Sequence, residues 1–203
     1  QIDLALEGAL KVAPAPVGIV PAGEARTLVF IDPRVTNYQQ LVPGIAADAE
    51  LVVLRTDRDG IAQISEALAT HPGVASIQIV SHGNPGSLLL GSTVLDSTSL
   101  ARYAGELASW GDGAAADADL MLFGCDVAKG DAGAAFVASL ASITGFDVAA
   151  SDDLTGSTDQ GGDWVLEFAT GNIESAYAFS PAVLGVYQGV LTPQAFDLYG
   201  STG

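Results

Sequence analysis

The sequence predicts an α/β fold with a mostly parallel central sheet and helices on both faces. Three observations carry this. Short apolar runs of strand length recur along the chain, and stretches with helical i, i+3/i+4, i+7 spacing separate them. The runs are continuous blocks of Leu and β-branched residues, as strands covered on both sides require. Right-handed crossovers would then distribute the helices over both faces.

Residues 1–26 are punctuated by Pro14, Pro16, Pro21 and Gly23 and read as an arm or linker. The first strand is Thr27 to Asp32, stopped by Pro33, and Glu50 to Arg55 is the second. Asp59 stands where it would cap a helix carrying Ile61, Ile64 and Leu68, which ends near His71-Pro72-Gly73. Ser76 to Val80 is a third strand, running into Ser81-His82-Gly83. Leu88 to Leu90, after a Gly-Asn-Pro-Gly turn, is a hairpin strand. Leu100, Tyr103 and Leu107 mark a helix ending at Trp110-Gly111. Asp119 to Phe123 is a buried strand that runs into Gly124-Cys125-Asp126. Phe136, Leu140 and Ile143 mark a helix closed by Gly145. Phe146 to Ala150 is a further strand, and Trp164 to Ala169 a late one with alternation. The domain is expected over residues 27–175, and residues 176–203 as a packing segment followed by linker.

The 203 residues suit one compact domain with short appendages. An apolar content of 49% and a mean hydropathy of +0.37 exclude generic disorder. No run approaches the ~18 apolar residues of a membrane span, and Gln1 to Pro21 lacks the basic and apolar blocks of a signal peptide. A single Cys excludes an internal disulfide, and one Cys with two His cannot build a structural zinc site. Seven basic against 24 acidic residues give a formal charge of −17, which repels nucleic acid and anionic lipid. Such acidity with scarce Lys, Cys and Met suits a secreted or surface-exposed bacterial protein bathed in salt or calcium. An acidic cytosolic protein would show a similar composition.

In open α/β sheets, sites collect beyond the carboxyl ends of the strands. Two strands end there in reactive residues, His82 and Cys125. On neighbouring strands the pair would be a base and a nucleophile. The backbone N–H groups of Gly83 and Cys125 would be oxyanion donors. The helix after Cys125, with Asp131 as its cap, would aim its N-terminus at the thiolate, partly opposed by Asp126. The residue pattern alone equally admits a packed Cys125 and a satisfied structural His82. His71, in a helix-ending turn, is expected to be structural and without a partner. No GxGxxG, Gly-Lys-Ser/Thr or Gly-x-Ser-x-Gly motif occurs. Asp57-Arg58-Asp59-Gly60 begins like a calcium loop, but its twelfth position would be Leu68. The acidic loop holding Asp152, Asp153, Asp159 and Asp163 could bind calcium loosely or remain a solvated connection.

A wider set of residues occurs in order along the chain. It comprises Ile31-Asp32, Ile79-Val80-Ser81-His82-Gly83, Leu90-Gly91 and Phe123-Gly124-Cys125-Asp126-Val127-Ala128, then Ala149-Ala150-Ser151, Thr155-Gly156 and Gly162-Asp163-Trp164-Val165-Leu166-Glu167. Over about residues 27–174 this set resembles the caspase-like cysteine peptidases of clan CD. In particular it is similar to the caspase-like domain of unknown function carried near the N-termini of giant bacterial adhesins and exported repeat proteins. The resemblance implies a caspase-like three-layer sandwich and a Cys125–His82 dyad that needs no cofactor, with Gly83 and Cys125 as oxyanion donors. It also implies a specificity pocket near Ser151, Asp152 and Asp153, with Asp126 close by, favouring Arg or Lys in a protein or peptide substrate. The same acids could equally be solvated loop residues. The expected substrate is the protein's own chain or a surface partner, and self-cleavage after a basic residue would fall at Lys11, Arg26 or Arg34, or beyond Gly203. Two rivals stand beside this: an inactive caspase-like docking module, and a cysteine acyl-transferase such as a transpeptidase.

Overall fold

The computed structural model describes residues 27–192. In chain order its strands are β1 (Thr27–Ile31), β2 (Ala49–Val53), β3 (Ser76–Val80), β4 (Gly83–Asn84), β5 (Ser87–Leu90), β6 (Thr93–Asp96), β7 (Asp119–Phe123), β8 (Asp147–Ala150) and β9 (Phe168–Ala169). Six of them form one sheet in the order β2-β1-β3-β7-β8-β9, parallel except for β9 at the edge. Strands β4, β5 and β6 make a small antiparallel sheet directly after β3. The main sheet ends evenly: Ile31 pairs with Val53 and Val80, and Val80 with Phe123. Loops starting at Asp32, Ser81 and Gly124 therefore leave from one edge side by side.

The long helices are α1 (Gly60–Leu68), α2 (Ser97–Ala108) and α3 (Gly130–Thr144), with a short α4 (Pro181–Val186) near the end. Asp59 caps α1, its Oδ1 accepting from Ile61 N at 2.8 Å and Ala62 N at 3.2 Å. Asp96 forms a full capping box with Ser99 at the start of α2. At α3 the cap position is Lys129, without a side-chain hydrogen bond, and Asp131 lies inside the first turn instead of capping it.

The two sheet faces are covered differently: the three long helices share one, and the other carries the short α4 with 3-10 turns and irregular chain. Leu28, Phe30, Ile77, Ile79, Leu120 and Leu122 point to one side, where α1, α2 and α3 cover them with Ile64, Leu100, Phe136 and Leu140, joined by Trp110 from the 3-10 turn after α2. Val29, Ile31, Val80, Met121 and Phe123 point to the other, where Leu41, Trp164, Phe179, Tyr187 and Leu191 pack. Connections to β3, β7 and β8 all step one way across the sheet and share a face. Only the step from β1 to β2 runs back, and a constant crossover hand sends it over the opposite face. That connection holds only short 3-10 turns, Tyr38–Gln40 and Val42–Gly44. The rest of this face is closed by the chain after β9.

That closing segment is pinned by a polar residue inside a buried strand. Gln78 is fully buried in β3. Its Nε2 donates to the Ala176 carbonyl at 2.8 Å, and its Oε1 accepts from Ala178 N at 2.8 Å. Residues 176–191 then cross the face, through bridges of Phe179 to Ile45 and of Val190 to Gly156. The alternating stretch Trp164 to Ala169 is strand only at its last two residues. Trp164 and Leu166 turn to the core on the second face as an irregular segment, while Phe168, in β9 at the sheet edge, packs against the helical core.

Candidate active site

His82 and Cys125 stand two residues beyond Val80 and Phe123, which are partners in adjacent parallel strands. The ladder continues past the strand ends, Ser81 N donating to the Phe123 carbonyl at 3.0 Å, so His82 and Cys125 leave the sheet abreast. Gly83 permits this closeness: a Cβ there would lie 2.6 Å from Val127 Cγ2 and 2.7 Å from the Cys125 carbonyl oxygen. Asp126, directly after the cysteine, holds a left-handed φ of 61°, which Asp tolerates better than most residues. The Cys125 N–H donates to no group among the described residues.

His82 is buried and oriented. Its Nε2 lies 3.0 Å from the Arg34 carbonyl oxygen. A carbonyl only accepts, so Nε2 carries the hydrogen and Nδ1 of the neutral ring keeps its lone pair. That Nδ1 is buried and has no hydrogen-bond partner among the described residues. The Arg34 loop is fixed in turn by Asp32, a fully buried carboxylate. Asp32 Oδ1 accepts from Arg34 N at 3.0 Å and pairs with Arg34 Nε at 3.2 Å, while Oδ2 accepts from Gly91 N at 2.9 Å. The group that orients the imidazole is a main-chain carbonyl, which leaves no residue-type signal in the sequence.

Cys125 is fully buried. Its Sγ accepts from Thr155 N at 3.3 Å and lies 3.7 Å from the Thr155 carbonyl oxygen. Burial pushes the thiol up to about 11; the Thr155 N–H pulls the other way, and the charges of Asp126 and Asp153 add to the rise. The thiol is therefore protonated in this closed form. Its cover is the segment 187–191, which forms a strap: Leu191 N donates to the Thr155 carbonyl at 2.9 Å, Ser157 N to the Gly189 carbonyl at 2.8 Å, and Tyr187 Oη to the Thr36 carbonyl at 2.7 Å. Beside this strap a cleft of about 290 Å³ opens between Thr36, Leu154, Gln160 and Gln188–Val190. Thr155 Oγ1 is a second buried polar atom without a partner here.

The remaining predicted residues sit apart from the thiol in role. Asp126 accepts from Lys129 Nζ at 2.7 Å. Ser151 is buried, its Oγ donating to the Asp153 carbonyl at 3.2 Å. Asp152 and Asp153 are exposed and gather with Glu167, close enough to share a cation. Asp159 lies in a 3-10 turn, and Asp163 Oδ1 accepts from Val165 N at 2.8 Å; neither joins that group. Lys11 and Arg26 lie outside the described residues. Arg34 is tied to Asp32, and its side chain also donates to the Gly91 carbonyl. His71 does have a partner, contrary to expectation: its Nε2 lies 3.0 Å from Glu50 Oε2 and its Nδ1 2.7 Å from the Ala67 carbonyl oxygen.

A family model described as a domain of unknown function, DUF4347, matches residues 28–191, from β1 through the strap over Cys125. The chain belongs to that family. No curated protein and no solved structure matches it.

Proposed function

We propose that this DUF4347 domain is a caspase-like cysteine endopeptidase working through Cys125 and His82, held latent by its own C-terminal strap. The observation that carries the reading is the set imidazole: a main-chain carbonyl fixes the His82 tautomer and leaves a buried, unpartnered Nδ1 on the loop abreast of Cys125. A histidine kept only for packing would ordinarily have both ring nitrogens satisfied.

In the reaction, the Sγ proton passes to His82 Nδ1 as sulfur attacks the scissile carbonyl carbon. The carbonyl oxygen becomes an oxyanion facing the N–H groups of Cys125 and Gly83. Collapse breaks the C–N bond, and the proton on Nδ1 goes to the leaving amine. Water then attacks the thioester, Nδ1 taking its proton, and Cys125 is returned with its thiol proton. A peptide would pair with the Leu154–Ser157 backbone where the strap now lies. The carboxylates of Asp152, Asp153 and Asp126, beside Ser151, would favour basic side chains, and an exported surface protein supplies the setting. Cleavage after Arg34 is not part of this proposal, because its carbonyl holds the base.

The fully buried, protonated thiol favours a second reading, a docking module whose cysteine is merely packed. Intact-mass spectrometry of the chain with and without calcium, beside Cys125→Ala and His82→Ala, tests both. A discrete fragment in the wild type that both variants lack is the expected result. Unchanged masses, with Cys125 inert to iodoacetamide even when the strap is weakened, would transfer the function to the docking module.

A further inference from the structure

At the opposite edge of the sheet, three carboxylates converge with no cationic partner among the described residues. Asp119 opens β7 and Asp147 opens β8, and the two are paired in register. Glu174 follows β9 in the segment that leads to the Gln78 clasp. One oxygen from each of the three lies within 4.8 Å of the others. None of the ion pairs among the described residues involves them.

Asp119 makes this more than a patch of surface acids. Its side chain is fully buried. Its Oδ2 accepts from Glu174 N at 3.1 Å and Ser175 N at 2.8 Å, but its Oδ1 is buried and without a partner. A buried carboxylate oxygen without a hydrogen-bond partner, on a side chain gathered with two more carboxylates, is costly. A cation resolves all three charges at once. The neighbouring chain is shaped around the acids as well: Gly171 passes so close that a Cβ there would meet Asp147 Oδ1 at 2.0 Å. Asn172 N also donates to Asp147 Oδ2 at 3.1 Å.

We propose that Asp119, Asp147 and Glu174 bind a calcium ion that ties the segment after β9 to the base of β7 and β8. The donor set is all oxygen with neither His nor Cys, which selects a hard cation. Ligand oxygens around one Ca²⁺ at ~2.4 Å can stand up to ~4.8 Å apart, and the three carboxylates lie within that reach of one another. Mg²⁺ binds at ~2.1 Å, keeps most of its waters and usually takes only one or two carboxylates. Exposed Glu174 and half-buried Asp147 leave room for water ligands, so the affinity belongs to the range of about 10⁻⁴–10⁻³ M typical of extracellular modules. This site is separate from the Asp152–Asp153–Glu167 group and independent of any peptidase activity.

Calorimetric titration and thermal unfolding of the chelator-treated full chain test it, with CaCl2, with MgCl2 and with NaCl at matched ionic strength. The expected result is a saturable Ca²⁺ heat and a rise in Tm that MgCl2 and NaCl do not reproduce. Glu174→Gln and Asp147→Asn, both at the surface and expected to fold, should each weaken binding at least tenfold. The double variant Asp152→Asn/Asp153→Asn should bind as the wild type. Absence of a Ca²⁺-specific heat and Tm shift would overturn the proposal. So would wild-type binding by Glu174→Gln and Asp147→Asn, or binding lost only in the Asp152→Asn/Asp153→Asn protein.

Discussion

Arg34 serves the proposed dyad through its carbonyl, and Asp32 holds that carbonyl in place through three contacts. Asp32 is thus a positioning residue, and its loss should disturb the reaction more than peptide binding. On a peptide substrate, Asp32→Ala is expected to lower kcat by on the order of 10²-fold, with KM changed less than about threefold. A variant that raised KM and left kcat alone would place Asp32 in substrate binding. His71 supports a second residue-scale prediction. Burial disfavours its charged ring, but the Ala67 carbonyl and Glu50 together outweigh this and raise its pKa above the ordinary value of 6.5. A raised folded-state pKa contributes stability that is fully present below the unfolded value. That contribution is lost as pH climbs through the folded one. The urea-midpoint difference between wild type and His71→Gln should therefore be largest below the ordinary value of 6.5 and shrink as pH rises above it; a difference growing with pH would show that the ring is neutral. His82 and Cys125 were legible because a strand followed by His-Gly or Gly-Cys is a local pattern. Asp32 carried no such signal beyond its place in the wider set of resembling residues, because its task depends on Gly91, far along the chain.

Among elements, the strap decides whether Cys125 can react. Leu191 is fully buried against the thiol's surroundings and its N–H closes the strap onto Thr155. Leu191→Ala should cost about 2–5 kcal/mol in global stability if the side chain is as well packed as its burial indicates. It should also raise the rate of Cys125 alkylation near pH 8 at least tenfold, because water reaching the sulfur removes the main cause of its raised pKa. Mass-detected iodoacetamide kinetics check this, with Leu107→Ala as a control that weakens the helical face and leaves the strap alone. Equal acceleration in both variants would mean that thiol exposure follows general destabilisation. The strap itself was not legible as an element. Helices α1, α2 and α3 announce themselves by apolar spacing, and β3 and β7 by unbroken apolar runs. Residues 170–191 have no such period, since they follow the sheet face through separate anchors at Asp119, Gln78, Ile45 and Gly156.

At the scale of the whole molecule, the sheet separates two unequal cores, and the charge surrounds both. Sequence periodicity reports the helical side well, because each helix meets the sheet along a regular stripe. It reports the other side poorly, where irregular chain and aromatic contacts such as Phe123 with Phe179 and Trp164 with Tyr187 fill the layer. The same asymmetry locates the site, since the thiol lies under the irregular side. The net charge of −17 acts on the folded chain as self-repulsion that unfolding relieves. Screening shortens from ~30 Å at 0.01 M salt to ~8 Å at 0.15 M, so added NaCl should stabilise the fold at neutral pH. Calorimetry at pH 7 is expected to show Tm rising by about 2–4 °C over that salt range, equivalent to about 1 kcal/mol for a domain of this size. The increment should fade as pH approaches the pI of about 4.1, where the net charge vanishes. A Tm indifferent to NaCl but responsive to calcium would mean that repulsion is concentrated at a few acidic clusters and is not spread over the surface. The carboxylates at the base of β7 and β8 would then govern the salt response of the whole domain.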